Sequence, residues 1–284
     1  MDSYTNFAQV YDELMDNVPY TEWCDYVRDI LCSYGIEDGL VLDLGCGTGT
    51  FTELMASAGF DMIGVDNAED MLQIAIEKRD ASSHDILYLL QDMREFELYG
   101  TVRAIVSICD SMNYLTDPDD FRKVLKLAAN YLDYDGIFLF DLNTAYKYEQ
   151  LLADHTFAEN REDCSFIWEN DFDADSRINT YELTLFVRED AENASPSSSA
   201  SSSDASSSSA SSSDAFASNV PAGEDTKYRR FAELHEQRAY TLAEVQEMIS
   251  AAGLSFEAAY DAYTKDAPRA DSERLTIIAR RPAP

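Results

Sequence analysis

The sequence predicts a doubly wound α/β fold built on a mostly parallel seven-stranded sheet, with a small antiparallel β lid inserted late in the chain. Three observations carry this reading. Between about residues 39 and 143, short apolar runs alternate with stretches of helical periodicity, as in a parallel sheet covered on both faces. After Asn143 the runs lengthen, alternate in polarity and fill with Tyr, Phe, Thr and charged residues, as in antiparallel strands with one wet face. A helix and two further strand-like runs then follow, so the parallel unit is interrupted and afterwards completed.

Taken in order, Phe7, Val10, Tyr11, Leu14 and Met15 follow the i, i+3, i+4, i+7, i+8 spacing of an amphipathic helix. Trp23, Tyr26, Val27, Ile30 and Leu31 do so again. Pro19 suits a first helical turn and Gly35 a stop. Strands are expected over 40–44, 62–65, 86–90, 104–109 and 137–142, with helices over 51–58, 68–79 and 117–132. The last helix has clear local chemistry: Asp117 can cap it, Pro118 fits its first turn, and Asp119 and Asp120 suit its positive end. Later strands are expected over 165–172, 178–188 and 227–240. Between the last two lies the Ser-rich run 195–215, which has no apolar periodicity and buries too little to offset its ordering entropy. Disorder is expected over 191–225 as a whole. Thr241-Leu-Ala-Glu244 is a capping box opening a helix to about residue 252, and strands over 254–263 and 274–280 follow. The expected division is a main domain of 1–144 and 239–284, with 145–238 as the inserted lid.

Bulk properties narrow the function. The 284 residues are 45% hydrophobic, enough for a real core, and no run approaches the length of a membrane span. The first residues lack the basic-then-apolar pattern of a signal peptide. Five cysteines without C-x-x-C spacing argue against a disulfide framework or a zinc site, so no metal is expected and a reducing cytoplasm is the expected compartment. A net charge of −33 repels polyanions and argues against a nucleic-acid partner. Oligomeric state is left open.

The strongest local signal is Val41-Leu-Asp43-Leu-Gly45-Cys46-Gly47-Thr-Gly49. A buried strand ends at an acid, and a glycine-rich turn enters a helix, letting backbone pass close to a ligand. The second strand ends in Gly64-Val-Asp66, where an acid can accept from ribose hydroxyls. A dinucleotide fold uses both devices, but there the spacing is G-x-G-x-x-G and a pyrophosphate faces the turn. Here the spacing is G-x-G-x-G and a carboxylate precedes it, which suits a cationic amino-acid ligand.

Together with Met71-Leu72, Gln91-Asp92-Met93 and Asp110-Ser-Met-Asn113-Tyr114, these motifs resemble the class I, Rossmann-like S-adenosylmethionine-dependent methyltransferases. Phe7-Ala-Gln-Val-Tyr11-Asp12 and Glu233-Leu-His235-Glu-Gln-Arg238 resemble a bacterial small-molecule subgroup with an inserted antiparallel lid. The resemblance implies S-adenosylmethionine as cofactor and a small-molecule acceptor. It implies that Asp43 and the glycines Gly45 and Gly47 hold the methionyl moiety and Asp66 the ribose. Asp92 would accept from the adenine amine, Met93 would contact the ring through its backbone, and the segment after strand four would face the methyl group.

Plainer roles stand beside these. Asp92 can cap a turn, Met71 can be adenine wall or core, and Cys46 and Cys109 can pack beside the cofactor as small hydrophobes. Tyr11 can touch the cofactor or simply pack. Asn113 and Tyr114 can meet the acceptor or shape their loop. His235 shares a strand face with Glu233, as a general base needs and as a structural hydrogen bond also would. Arg238 can pair with an acceptor carboxylate or an acidic neighbour, and His84 and His155 read as solvated. A non-catalytic S-adenosylmethionine-binding regulator would share the cofactor motifs, and a nicotinamide-dependent oxidoreductase would share part of them.

Overall fold

The computed structural model describes residues 8–189 and 227–284; Phe7 and the segment expected to be disordered, 191–225, lie outside them. Along the chain come α1 (Ala8–Leu14), α2 (Tyr20–Ser33), β1 (Leu40–Leu44), α3 (Thr50–Ser57), β2 (Asp61–Asp66), α4 (Glu69–Ser82) and β3 (Ile86–Leu90). Next are β4 (Val102–Ser107), α5 (Pro118–Tyr131) and β5 (Leu132–Asn143). The inserted strands are β6 (Thr156–Asn160), β7 (Cys164–Asp173), β8 (Ile178–Arg188) and β9 (Tyr228–Arg238). The chain then completes the first sheet with α6 (Leu242–Ala251), β10 (Ser255–Asp261) and β11 (Arg274–Arg280).

The seven-stranded sheet runs β10-β11-β5-β4-β1-β2-β3. Strands β1 to β5 are parallel, whereas β11 is antiparallel to β5 and β10 to β11. Period-two alternation divides its side chains between two cores. Leu42, Leu44, Phe138 and Phe140 pack with Phe121 and Val124 of α5 and Val245 and Ile249 of α6. Val41, Met62, Ala104 and Val106 pack with Val27 and Ile30 of α2 and Phe51 and Met55 of α3. Strand order reverses between β1 and β4, which opens a crevice at the carboxyl ends of those strands.

The second sheet is antiparallel, ordered β6-β7-β8-β9. Val10 and Leu14 of α1 pack against its Cys164, Leu183, Leu185 and Val187. At its other end Arg177 forms a two-pronged ion pair with Glu244 at 2.5 and 2.6 Å. Glu244 also closes the expected capping box with Thr241, and its carboxyl is held down at about 2, chiefly by Arg177.

Several boundaries differ from expectation, each for a local reason. Strand β4 stops at Ser107 rather than at residue 109, because Cys109 and Asp110 take left-handed conformations (φ 57° and 53°). Both of their amides donate to the buried Asp141 carboxylate, at 3.1 and 2.7 Å. Strand β5 begins at Leu132 instead of 137. Gly136 lets it pass: a Cβ there would lie 2.8 Å from the Arg103 carbonyl oxygen. Strand β6 was not expected, since all five of its residues are exposed and carry no burial rhythm. A π-helical turn, Lys147–Leu152, also went unpredicted. His84, expected to be solvated, is half-buried with Nδ1 2.7 Å from Glu53 Oε2, whereas His155 is exposed.

Candidate functional site

A cleft of about 740 Å³ opens at the carboxyl ends of β1, β2, β3 and β4. The turn after β1 forms its floor. Gly45 and Gly47 have φ of 82° and 54°, a region that L side chains rarely enter. A Cβ on Gly45 would lie 2.8 Å from Ser111 Oγ, while the space beside Gly47 is open. Backbone is thus bared to a ligand at Gly47 and crowded against protein at Gly45.

Two carboxylates stand over this turn. Asp43 is 1% exposed and accepts from the Thr52 hydroxyl at 2.6 Å. Burial, reinforced by the neighbouring Asp66 carboxylate, pushes it up to about 7. Asp66 accepts from the backbone N–H of Gly47 at 2.8 Å and of Ala68 at 2.9 Å, so its orientation is fixed by main chain. Burial raises it too, against the pull of those amides. A cation entering here would relieve both groups, because a nearby positive charge favours the ionised carboxyl.

Tyr11, Asp43, Gly45, Cys46, Gly47, Asp66, Met71, Asp92, Met93, Cys109 and Tyr114 all line the cleft. Their individual settings differ. Met71 is buried with Ala8 and Ala68. Burial pushes the thiols of Cys46 and Cys109 up, which makes poor nucleophiles of both. The Asp92 carboxylate receives the Arg94 amide at 2.8 Å and its guanidinium at 2.5 to 3.1 Å. Arg94 holds Asp92 below the usual carboxylate range, and the guanidinium also reaches Asp120 at 3.3 Å.

Of the residues expected to face an acceptor, Tyr114 alone lines the cleft. Its hydroxyl is 2.6 Å from the Tyr181 hydroxyl and 3.2 Å from His235 Nδ1. His235 is 1% exposed, stacks on Tyr181 with centroids 4.6 Å apart, and sets Nε2 3.2 Å from Glu233 Oε2. Glu233 thus stands beside Nε2, and Nδ1 lies within hydrogen-bond distance of the Tyr114 hydroxyl. The row runs from a buried carboxylate on the second sheet to a phenol in the cleft.

Asn113 and Arg238 lie elsewhere. Asn113 is fully buried; its amide nitrogen donates to the carbonyls of Asn143 at 3.2 Å and Arg238 at 2.8 Å, and its oxygen accepts from the Asn143 amide. That amide is spent on backbone and ties β9 to β5. Arg238 turns toward the Thr116 carbonyl at 3.4 Å and lies over the Tyr240 ring.

The structure adds residues the sequence did not mark. Arg274 bridges Asp110 Oδ1 at 2.6 Å and Asp141 Oδ2 at 2.8 Å. Gln237 Nε2 donates to Asp110 Oδ2 at 2.6 Å, joining this network to β9. Tyr263, whose hydroxyl donates to Asp141, stacks on Trp23. The available signal was Asp110 itself, sitting after the fourth strand; nothing in spacing pairs it with a residue 164 positions later. No helix among the described residues is long and apolar enough to cross a membrane.

Comparisons with known proteins agree with this geometry. A family model described as a methyltransferase domain matches residues 41–136. The chain is 34% identical over 279 residues to YqeM of Bacillus subtilis (strain 168), a protein named as a methyltransferase, covering 98% of this chain and 97% of the relative. A solved S-adenosylmethionine-dependent methyltransferase from Clostridium acetobutylicum ATCC 824 superposes with a TM-score of 0.78 at 26% identity, over 99% of this chain and 100% of that one. CalS10 of Micromonospora echinaspora, an amino pentose methyltransferase solved with S-adenosylmethionine bound, shares the fold at a TM-score of 0.66 and 17% identity, covering 96% of each chain.

Proposed function

The chain belongs to the class I S-adenosylmethionine-dependent methyltransferases, and from that premise we propose that its acceptor is an amine-bearing small molecule. The observation that carries this is the charge of the cleft. Among the described residues, its lining includes the carboxylates of Asp43, Asp66, Glu69, Asp70, Asp92 and Asp120 against one guanidinium, that of Arg94. A carboxylate or phosphate acceptor would meet like charge there, and a protonated amine would be drawn in.

Bound in this cleft, S-adenosylmethionine supplies a sulfonium-activated methyl group that a nucleophile displaces directly. The residues present suit that ligand. Asp43, buried and in need of a cation, would hold the methionyl ammonium, and Asp66 would accept from the ribose hydroxyls. Gly47 would let backbone approach the ligand while Gly45 keeps the turn close against Ser111, Cys46, Met71 and Met93 would wall the adenosyl part, and Asp92 would take the adenine amine by sharing its oxygens with Arg94. Tyr11 and Cys109 would close the methyl end.

On the acceptor side Tyr114 would touch the nucleophile, and His235, backed by Glu233, would take up its proton through the Tyr114 hydroxyl. Asn113 and Arg238 would act at a distance, holding the end of β9 in place. Most of the rate would come from alignment of nucleophile, methyl carbon and sulfur. The lid unit would comprise residues 145–238, and the main domain 1–144 and 239–284. All five cysteines are free, in keeping with a cytoplasmic setting.

The test is a panel of small molecules sharing one carbon frame and ending in amine, hydroxyl, carboxylate or phosphate, each incubated with enzyme and S-adenosylmethionine. Formation of S-adenosylhomocysteine with the amines supports the proposal. Turnover confined to the carboxylates or phosphates overturns it.

A further inference from the structure

Helix α1 links the cleft to the inserted sheet. Ala8 packs on Ala68 and Met71 beside the cofactor turn, and Tyr11 lines the cleft. Val10 and Leu14 pack on the inserted sheet. Arg161 of that sheet's β6–β7 turn donates to the Glu13 carbonyl and pairs with Asp16 at 3.0 Å.

A compact polar network fastens this helix to the glycine turn. Asp12 Oδ1 accepts from the hydroxyls of Thr48 at 2.7 Å and Thr50 at 3.2 Å. Lys78 Nζ of α4 donates to the same two hydroxyls, at 3.1 and 2.6 Å, and pairs with Asp12 Oδ2 at 2.6 Å. Thr48 is 2% exposed and stands between Gly47 and Gly49, so its hydroxyl reads the shape of the ligand-binding turn.

We propose that Asp12, Lys78, Thr48 and Thr50 form a clamp coupling cofactor occupancy to closure of the inserted sheet. These are positioning residues, acting through the turn on one side and α1 on the other. An isolated exposed ion pair contributes little. Here both charges also converge on two hydroxyls of one turn, and Thr48 is shielded from water. A ligand that orders the turn lowers the entropic cost of holding the clamp shut, and α1 then carries that order to the sheet it packs on. By linkage, a sheet held shut strengthens cofactor binding by the same factor.

The inference rests on S-adenosylmethionine binding in the cleft, and its test separates the two. Calorimetry measures S-adenosylmethionine affinity; amide hydrogen exchange follows β7 and β8 with and without saturating S-adenosylmethionine. In the wild type, cofactor slows exchange in both strands. Lys78→Met weakens binding by about 5- to 30-fold and abolishes that slowing, and Lys78→Arg restores both. Asp12→Asn supplies the same readout should Lys78→Met fold poorly. Val10→Ala, which loosens the sheet side while leaving the Asp12–Lys78 contacts in place, loses the slowing and weakens binding with it, as reciprocity requires. The clamp is overturned if Lys78→Met and Asp12→Asn bind like the wild type, or if their β7 and β8 amides still slow with cofactor. A wild type that takes up no S-adenosylmethionine overturns the binding premise instead.

Discussion

At the β1–β2 end of the cleft the functional groups are set by main chain. Asp66 is aimed by the amides of Gly47 and Ala68, and the turn keeps its shape through positive φ at Gly45, Gly47 and Gly49. At the β4–β5 end they are set by side chains distant in sequence. Asp141 holds the left-handed Cys109 and Asp110, Arg274 bridges Asp110 and Asp141, and Gln237 and Asn113 draw β9 in. A site built from main chain tolerates loss of one side chain as a loss of affinity. A site built from buried charges turns such a loss into a loss of fold. The two ends should therefore fail in different ways when altered.

The largest effect is expected at Asp141, which is fully buried. Asp141→Ala strips a partner from Arg274, from the Tyr263 hydroxyl and from two backbone amides. Breaking a buried pair typically costs about 3–5 kcal/mol, to be read as a large fall in denaturant midpoint. Stability within about 1 kcal/mol of wild type would show that the β4–β5 end is not held by this network and would erase the contrast.

Next in size is Asp66→Ala. Loss of hydrogen bonds to a charged group is worth about 1.5–3 kcal/mol, or roughly 10- to 150-fold in S-adenosylmethionine affinity. Stability should fall less than in Asp141→Ala, since Asp66 sits at a strand end. Unchanged affinity by calorimetry would remove Asp66 from the cofactor site.

The same contrast explains what the sequence reveals. Asp43, Gly45, Gly47 and Asp66 act through one continuous turn and the end of the neighbouring strand, so residue type and spacing carry their roles. Asn113 shows the limit: its position after β4 suggests an acceptor contact, yet its amide is satisfied by the backbone of Asn143 and Arg238. Arg238 was read by charge, but its direction is set by Tyr240 and Thr116. The Asp12–Lys78 clamp and the Asp110–Arg274 bridge pair residues far apart in the chain, where neither periodicity nor spacing can join them. Strand β6 escaped for a simpler reason, since an exposed edge strand leaves no hydrophobic pattern.

A smaller, graded effect should appear with pH at the β1 end. Burial lifts Asp43 from its usual value to about 7, so between about pH 4 and 7 the folded chain binds more protons here than the unfolded one. Its contribution to stability therefore falls as pH rises through that window. Cofactor binding runs the other way, because the methionyl ammonium needs the ionised carboxylate. Affinity should rise with pH, by at most about tenfold per unit, and level off above pH 7. Asp43→Asn should flatten this rise; since Asp66 is also raised, Asp66→Ala serves as the control. A wild-type profile as flat as that of Asp43→Asn would mean that Asp43 does not face the ammonium.

The smallest effect should come from the Ser-rich segment between β8 and β9. Strands β8 and β9 pair through Arg188 and Tyr228, so the ends of the intervening segment are already adjacent. Closing a loop costs only about 0.6 kcal/mol more per doubling of length. Replacing residues 195–215 with a short Gly-Ser turn should leave both S-adenosylmethionine affinity and denaturant midpoint nearly unchanged. It should also leave turnover of any amine acceptor intact, because the acceptor-side groups Tyr114, His235 and Glu233 all lie outside the replaced stretch. If turnover collapses while cofactor affinity holds, part of the acceptor site belongs to that segment. The contrast would then have to be redrawn as main chain and side chains on one hand against the Ser-rich segment on the other.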